Sequence, residues 1–326
     1  MLVPRRSRED RCDLPSVLTS KGSSPRIRLT GEVNIQMAGK HTHAQGHRFV
    51  HIEDEQGWNW QMTTTQRGNK STITIGTTQV EMFAGGSGPA LVFLHGAGGN
   101  AGWQPWHEEL SKHYTVYLPS QPGFNGTERP AWVYTITDVA HFNQAMVQQL
   151  GLAQYILMGS SMGGWVAAEM AAMCHHNLQG LILVDAAGIK PDKGEIAEIF
   201  MISAQTRLKQ RFYDPSQVPN YERYTRALSL EEQVVEHANR EMASRLCWRP
   251  YLHNPSLPYY LRQMPTPTLI VWGKQDAIVP VECGELFQQA LPNATLKVIE
   301  HCGHSPAIEK PQEFLHVVTE FLSGLR

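Results

Sequence analysis

Short apolar runs alternate with longer segments in which apolar residues recur every three or four positions, and this rhythm runs from about Ser71 to the end of the chain. Thr72-Ile73-Thr74-Ile75 and Gln79-Val80-Glu81-Met82-Phe83 alternate around Gly76, as two hairpin-joined strands do. Continuous apolar runs follow from Ala90 to Leu94, Tyr155 to Met158, Leu181 to Val184 and Thr268 to Trp272, with further strands expected from Tyr114 to Leu118 and Thr295 to Ile299. Runs without alternation suit strands buried on both faces. Helical spacing predicts helices from Trp103 to Leu110, Thr137 to Leu150, Trp165 to Met173, Val281 to Leu291 and Pro311 to Leu325. Strand and helix alternating in short connected units imply the α/β class: a mostly parallel, eight-stranded sheet with helices on both faces.

The rhythm fails in two places. Between Ile189 and Leu261, after the sixth strand, the pattern becomes helical and rich in charged and aromatic residues, including Phe200, Tyr251 and Trp248. We read 189–261 as a helical cap inserted into a core formed by 71–188 and 262–326, with Phe200 and Trp248 as candidate substrate-binding residues. Its apolar content exceeds what a solvated linker carries, so part of it must be buried or line a pocket. Residues 1–70 are polar, with isolated apolar positions and no sustained period, which predicts a poorly ordered extension that is dispensable for folding. His41, His43, His47 and His51 lie in it, but their spacing matches no compact ligand set, so no metal is expected.

Composition narrows the function classes. With 326 residues and 41% hydrophobic content the chain can bury a large core, and a formal net charge of -2 supplies no field to gather nucleic acid or an anionic membrane. The expected partner is a small-molecule substrate; oligomeric state is not readable. Five cysteines, Cys12, Cys174, Cys247, Cys283 and Cys302, are scattered and form no C-x-x-C pair, as free thiols in a reducing compartment would be. The basic start Met1-Leu2-Val3-Pro4-Arg5-Arg6 is followed by no apolar stretch of signal-peptide or membrane length, so a cytoplasmic location is expected.

The candidate chemistry gathers just past strand ends. Gly159-Ser160-Ser161-Met162-Gly163-Gly164 lies between a strand run and a small-residue helix, and G-x-S-x-G fits only with Ser161 at its centre. That spacing suits a strained strand-to-helix turn that lifts a serine hydroxyl clear of the sheet and aims the next N–H, that of Met162, at a developing oxyanion. Asp276 follows the seventh strand, and His301 and His304 follow the eighth. A serine needs an imidazole to take its proton, and the imidazole needs a carboxylate to orient it. We assign Ser161 as nucleophile, His304 as base and Asp276 as orienter. Gly303 is expected to supply the turn that brings His304, and not His301, over the sheet edge. The Ala97 N–H in the glycine-rich loop His95-Gly96-Ala97-Gly98-Gly99 is the expected second oxyanion donor. Asp276 also reads as a turn or cap aspartate, and Asp185 as a turn residue leading into the insertion or a second partner for a base. The Gly-rich loop has no lysine at phosphate-binding spacing, and no cofactor is expected.

Together, His95-Gly96-x-Gly98, Gly159-x-Ser161-x-Gly163-Gly164, Gly273-x-x-Asp276-x-x-Val279-Pro280 and Gly303-His304-x-Pro306-x-x-Glu309-x-Pro311 resemble the α/β-hydrolase superfamily over residues 71–326. The chain order Ser161, Asp276, His304 is the order that resemblance implies. It further implies a capped serine hydrolase, and we expect a carboxylic ester hydrolase working through an acyl-enzyme. Dehalogenases and epoxide hydrolases of this fold carry aspartate where this chain has Ser161. Val184-Asp185-Ala186-Ala187-Gly188 is similar to hydrolases that cleave carbon-carbon bonds of aromatic ring-fission products, although that group usually has Asn and Trp where this chain has Ser160 and Ser305. Carbon-carbon bond cleavage is therefore the alternative enzymatic expectation, and a non-catalytic small-molecule receptor is the alternative from another class.

Overall fold

The computed structural model describes residues 68–325, so the expectations placed on residues 1–67 lie outside it. The fold opens with the antiparallel pair β1 (Asn69–Ile75) and β2 (Thr78–Gly85), joined by Gly76 and Thr77, with Gly76 at φ +61. Asn69 and Lys70 pair with Ala84 and Phe83, so β1 begins ahead of the boundary that hydropathy suggests; backbone pairing leaves no trace in polarity. Next come β3 (Ala90–Leu94), α1 (Pro105–Ser111), β4 (Thr115–Pro119), α2 (Ile136–Gln149), β5 (Tyr155–Ser160), α3 (Met162–Met173) and β6 (Leu178–Val184). After β6 the chain leaves the alternation for α4 (Ala204–Arg211), α5 (Glu222–Thr225), α6 (Leu230–Cys247) and α7 (Leu257–Leu261). It returns through β7 (Thr268–Gly273), α8 (Val281–Ala290), β8 (Ala294–Ile299), α9 (Pro306–Glu309) and α10 (Pro311–Gly324).

The eight strands lie in one sheet in the order β1-β2-β4-β3-β5-β6-β7-β8. β2 runs antiparallel to both of its neighbours, and every pairing from β4 through β8 is parallel. The pleat divides the core into two layers. Ile156, Met158, Ile182, Val184, Leu269 and Val271 point to the face covered by Trp106 and Leu110 of α1 and Phe314, Val318 and Leu322 of α10. Tyr155, Leu157, Leu181, Leu183, Ile270 and Trp272 point to the other face, where α2, α3 and α8 contribute Phe142, Met146, Val166, Met170 and Phe287. β5 and β7 are buried almost throughout, whereas the edge strand β8 alternates, which is why the first two read as unbroken apolar runs. α7 packs on α3 and α8, so the end of the inserted segment belongs to this second layer. Among the described residues no helix is long and apolar enough to cross a membrane.

Two histidines are built into this frame as neutral groups. His95, at the end of β3, donates from Nδ1 to the Gly96 carbonyl (2.9 Å) and accepts the Gln121 N–H at Nε2 (2.9 Å), an arrangement that only one neutral tautomer provides. His107 Nδ1 accepts the Gln104 N–H (2.9 Å) at the start of α1, with the ring packed on Trp106 and Phe93. Burial pushes His95 down to about 4 and His107 down to about 3. Both therefore stay neutral in the fold, while an unfolded histidine gains a proton near pH 6.5. Stability is complete above that value and is lost as pH falls from about 6.5 toward 4 and 3, at about 1.4 kcal/mol per unit per histidine. We expect melting temperatures measured between pH 7.5 and 4.5 to fall steeply below pH 6. His107→Gln, which keeps an acceptor for the Gln104 N–H and removes the titration, should flatten the fall; an unchanged slope would exclude His107 as a source.

Candidate active site

Ser161 occupies the junction between β5 and α3 with φ 55 and ψ -121, a conformation that a non-glycine residue adopts only when its surroundings impose it. Those surroundings are tight. A Cβ on Gly159 would fall 2.2 Å from the Gly163 carbonyl oxygen, one on Gly163 would fall 2.2 Å from the Leu94 oxygen, and one on Gly164 would fall 2.5 Å from Ala186 Cβ. The three glycines are thus required for backbone packing between β3, the turn and the end of β6. Ser161 N–H donates to Val184 O (2.9 Å), and Ala187 N–H donates to Ser161 O (3.1 Å), which fastens the turn to β6.

The structure brings the three sequence-selected side chains together. His304 Nε2 lies 2.9 Å from Ser161 Oγ, and its Nδ1 lies 2.6 Å from Asp276 Oδ2. The Asp276 side chain is fully buried, and its other oxygen accepts the Ile278 and Val279 N–H groups at 2.8 and 3.0 Å. One oxygen of Asp276 thus caps the turn and the other meets the imidazole. The loops after β7 and β8 are stapled together: Gln275 N–H donates to Cys302 O (2.9 Å), and Cys302 N–H donates to Gln275 Oε1 (3.0 Å).

The loop carrying His304 departs from expectation in one respect. His301 takes the left-handed turn conformation, at φ 53, and Gly303 does not. Gly303 is needed instead for close approach, since a Cβ there would lie 2.8 Å from both Arg211 O and Tyr213 N. His301 is exposed, with its ring against Tyr213, and it lines a surface hollow with Asp214 and Lys310. Glu309, quoted in the sequence pattern without a role, gathers the loop: its carboxylate accepts the N–H groups of Gly303 (3.0 Å), Tyr213 (2.8 Å) and Ser305 (3.2 Å). Asp185 forms the turn that leaves β6 for the insertion, in the left-handed conformation at φ 44, and it does so from a buried position. It is wholly buried and accepts the Gly273 N–H at 2.9 Å, because β6 ends beside β7 and the side chain points into the sheet edge.

The loop after β3 runs against the serine, for a Cβ on Gly96 would lie 3.2 Å from Ser161 Cβ and 3.7 Å from its Oγ. Gly99 N–H closes the loop onto Gly96 O (3.1 Å), and Gln121 Nε2 donates to His95 O (2.7 Å). Among the described residues, neither the Ala97 nor the Met162 N–H meets an acceptor. Sequence reasoning missed the residue that joins this loop to the insertion. Asn239 of α6 donates to Gly98 O (3.0 Å) and accepts the Asn125 N–H (2.8 Å), while Met242 fills the space over Gly123. The available signal was a polar residue on the buried stripe Asn239, Met242, Ala243, Leu246. Phe200 is buried and Trp248 half-exposed; their rings pack on each other and on Tyr251, whose hydroxyl donates to Ala197 O (2.8 Å).

A strained serine between strand and helix, an imidazole and a buried carboxylate in hydrogen-bonded series, and this strand order define a class of fold and site. The model of the alpha/beta hydrolase family matches residues 91–317, and the chain belongs to that family. It is 24% identical over 275 residues to a 2-hydroxy-6-oxo-2,4-heptadienoate hydrolase of Pseudomonas putida, covering 77% of this chain and 95% of that protein. It is 27% identical over 262 residues to a monoacylglycerol lipase of Xenopus laevis, covering 74% and 77%. Among solved structures, a bacterial membrane phospholipase A superposes with a TM-score of 0.70 at 24% identity, covering 80% of this chain and 87% of that one.

Proposed function

We propose that this alpha/beta hydrolase is a serine esterase that cleaves a small carboxylic ester through an acyl-enzyme. The observation that carries the proposal is the unbroken series Ser161 Oγ, His304 Nε2, His304 Nδ1, Asp276 Oδ2 at 2.9 and 2.6 Å. In the first half-reaction Ser161 Oγ attacks the acyl carbonyl while His304 Nε2 takes its proton, and Asp276 stabilises the imidazolium. The Met162 and Ala97 N–H groups receive the oxyanion. Collapse expels the alcohol, which leaves with the proton held by His304. Water then gives a proton to His304 and attacks the acyl-enzyme, releasing the carboxylic acid and restoring Ser161.

The inserted segment acts in this scheme as a lid, held over the β3 loop by Asn239 and over the loop after β4 by Met242. Phe200 and Trp248 are its aromatic residues that we assign to substrate size. A cytoplasmic, reducing location belongs to the same proposal, supported by the free thiols Cys174, Cys247, Cys283 and Cys302. A second reading, carbon-carbon bond cleavage of ring-fission products, is favoured by the name of the Pseudomonas putida relative.

Turnover of acetyl, butyryl and octanoyl nitrophenyl esters beside ring-fission dienones tests the proposal. We expect turnover of an ester and none of the dienones, with Phe200→Ala shifting preference among chain lengths more than it alters attack on the acetyl ester. Dienone cleavage exceeding ester cleavage would select the second reading, and saturable binding without turnover of either class would make the chain a receptor.

A further inference from the structure

The reaction proposed above leaves one buried acid beside the triad unused. Asp185 Oδ1 accepts the Gly273 N–H, while Oδ2 is buried without a hydrogen-bond partner. One oxygen of Asp185, one oxygen of Asp276 and one ring nitrogen of His304 all lie within 4.8 Å of one another. Two carboxylates this close in a site shielded from water do not both ionise, so one of them keeps a proton. The hydrogen bonds decide which. Asp276 receives three donors, from Ile278, Val279 and His304, each favouring its charged form, and Asp185 receives one.

We propose that Asp185 is a positioning residue with two settings: beside an ionised Asp276 it holds the proton of the pair, and when Asp276 is removed it becomes the carboxylate that orients His304. The proposal rests on the Ser161, His304, Asp276 assignment. Burial, the charge of Asp276 and, more weakly, that of Glu309 hold the Asp185 carboxyl well above the usual carboxylate range, against the opposing pull of the Gly273 N–H. The groups facing it are Asp276 after β7, His304 and Cys302 after β8, and Glu309 on α9, and the Cys302 thiol is itself pushed up by burial and these carboxylates. Deleting the charge at 276 removes the repulsion that adds to burial in keeping Asp185 neutral, and it leaves the His304 ring as the cation that can draw out its charge.

Two substitutions at one position expose the second setting. In Asp276→Asn the amide oxygen stays with the Ile278 and Val279 N–H groups, so the NH₂ turns to His304 Nδ1 and imposes the tautomer that cannot accept the serine proton. Asp276→Ala imposes no tautomer and leaves Asp185 free to act. We expect Asp276→Asn to lose about 10⁴-fold in kcat/KM, Asp276→Ala only about 10²-fold, and Asp276→Ala with Asp185→Asn to fall to the level of Asp276→Asn. The acid limb of the pH–rate profile should keep its position in Asp276→Ala, where a carboxylate still faces the ring, and move to lower pH in the double variant. A merely structural Asp185 would change melting temperature and leave that limb in place.

Equal losses in Asp276→Ala and Asp276→Asn, with no further loss in the double variant, would overturn the second setting while keeping Asp276 in the triad. Asp276 variants as active as the parent enzyme would overturn both the triad assignment and the proposal. Infrared spectroscopy of the unsubstituted protein at neutral pH in heavy water requires no variant to fold: a buried protonated carboxyl band is expected, and its absence would overturn the first setting.

Discussion

Replacing Ser161 by alanine is expected to lower turnover of an activated nitrophenyl ester by about 10⁴- to 10⁶-fold with no loss of fold, because nucleophile and base act as a unit. The hydroxyl at 2.9 Å from His304 Nε2 is removed, while the turn that presents it is held by backbone contacts at Gly159, Gly163, Val184 and Ala187 that alanine keeps. Ser160→Ala should cost far less, since Ser160 is the last residue of β5 and the imidazole meets its neighbour. A fluorophosphonate probe followed by peptide mapping decides between the two serines. Labelling of Ser160 or of a cysteine would refute the assignment.

His304→Ala is expected to match the loss in Ser161→Ala, and His301→Ala to keep most of the activity. His304 is buried between the serine and a fully buried carboxylate, and its own N–H is anchored to Arg211 O at 2.8 Å. His301 is exposed, three residues earlier in the same loop, and packs on Tyr213. The base must be neutral to accept a proton, so turnover should rise with pH along an acid limb in the parent enzyme and in His301→Ala. Equal losses at both histidines, with circular dichroism unchanged, would leave His304 without its assigned role.

The eight strands and the core helices were legible because each is a local statement of polarity. β5 and β7 are buried on both faces and read as apolar runs, whereas β1 and β2 alternate about the left-handed Gly76. The elbow was legible for a similar reason, since glycines at 159 and 163 are demanded by contacts within one turn and its neighbouring strand. Short helices were harder to read. α9 is a four-residue segment opened by Pro306, too brief for any period, and its importance lies in Glu309, which joins the loop just before it, at Gly303 and Ser305, to Tyr213, 96 positions away.

The chain by itself determined the class of fold, the order of strands and helices, and which serine, aspartate and histidine carry the candidate chemistry, because periodicity and motif spacing are encoded by neighbours along the backbone. Only the tertiary structure decided what depends on approach between distant segments. It placed Asp185 beside Asp276 by pairing β6 with β7, and it assigned the left-handed turn to His301 by packing Gly303 against Arg211 and Tyr213. It also tied Asn239 to the β3 loop across 141 positions of sequence. The deciding quantity is a hydrogen bond, a desolvated charge or, at Gly303, the close approach of another backbone, and each is set by a partner distant in sequence that a residue's own identity does not specify.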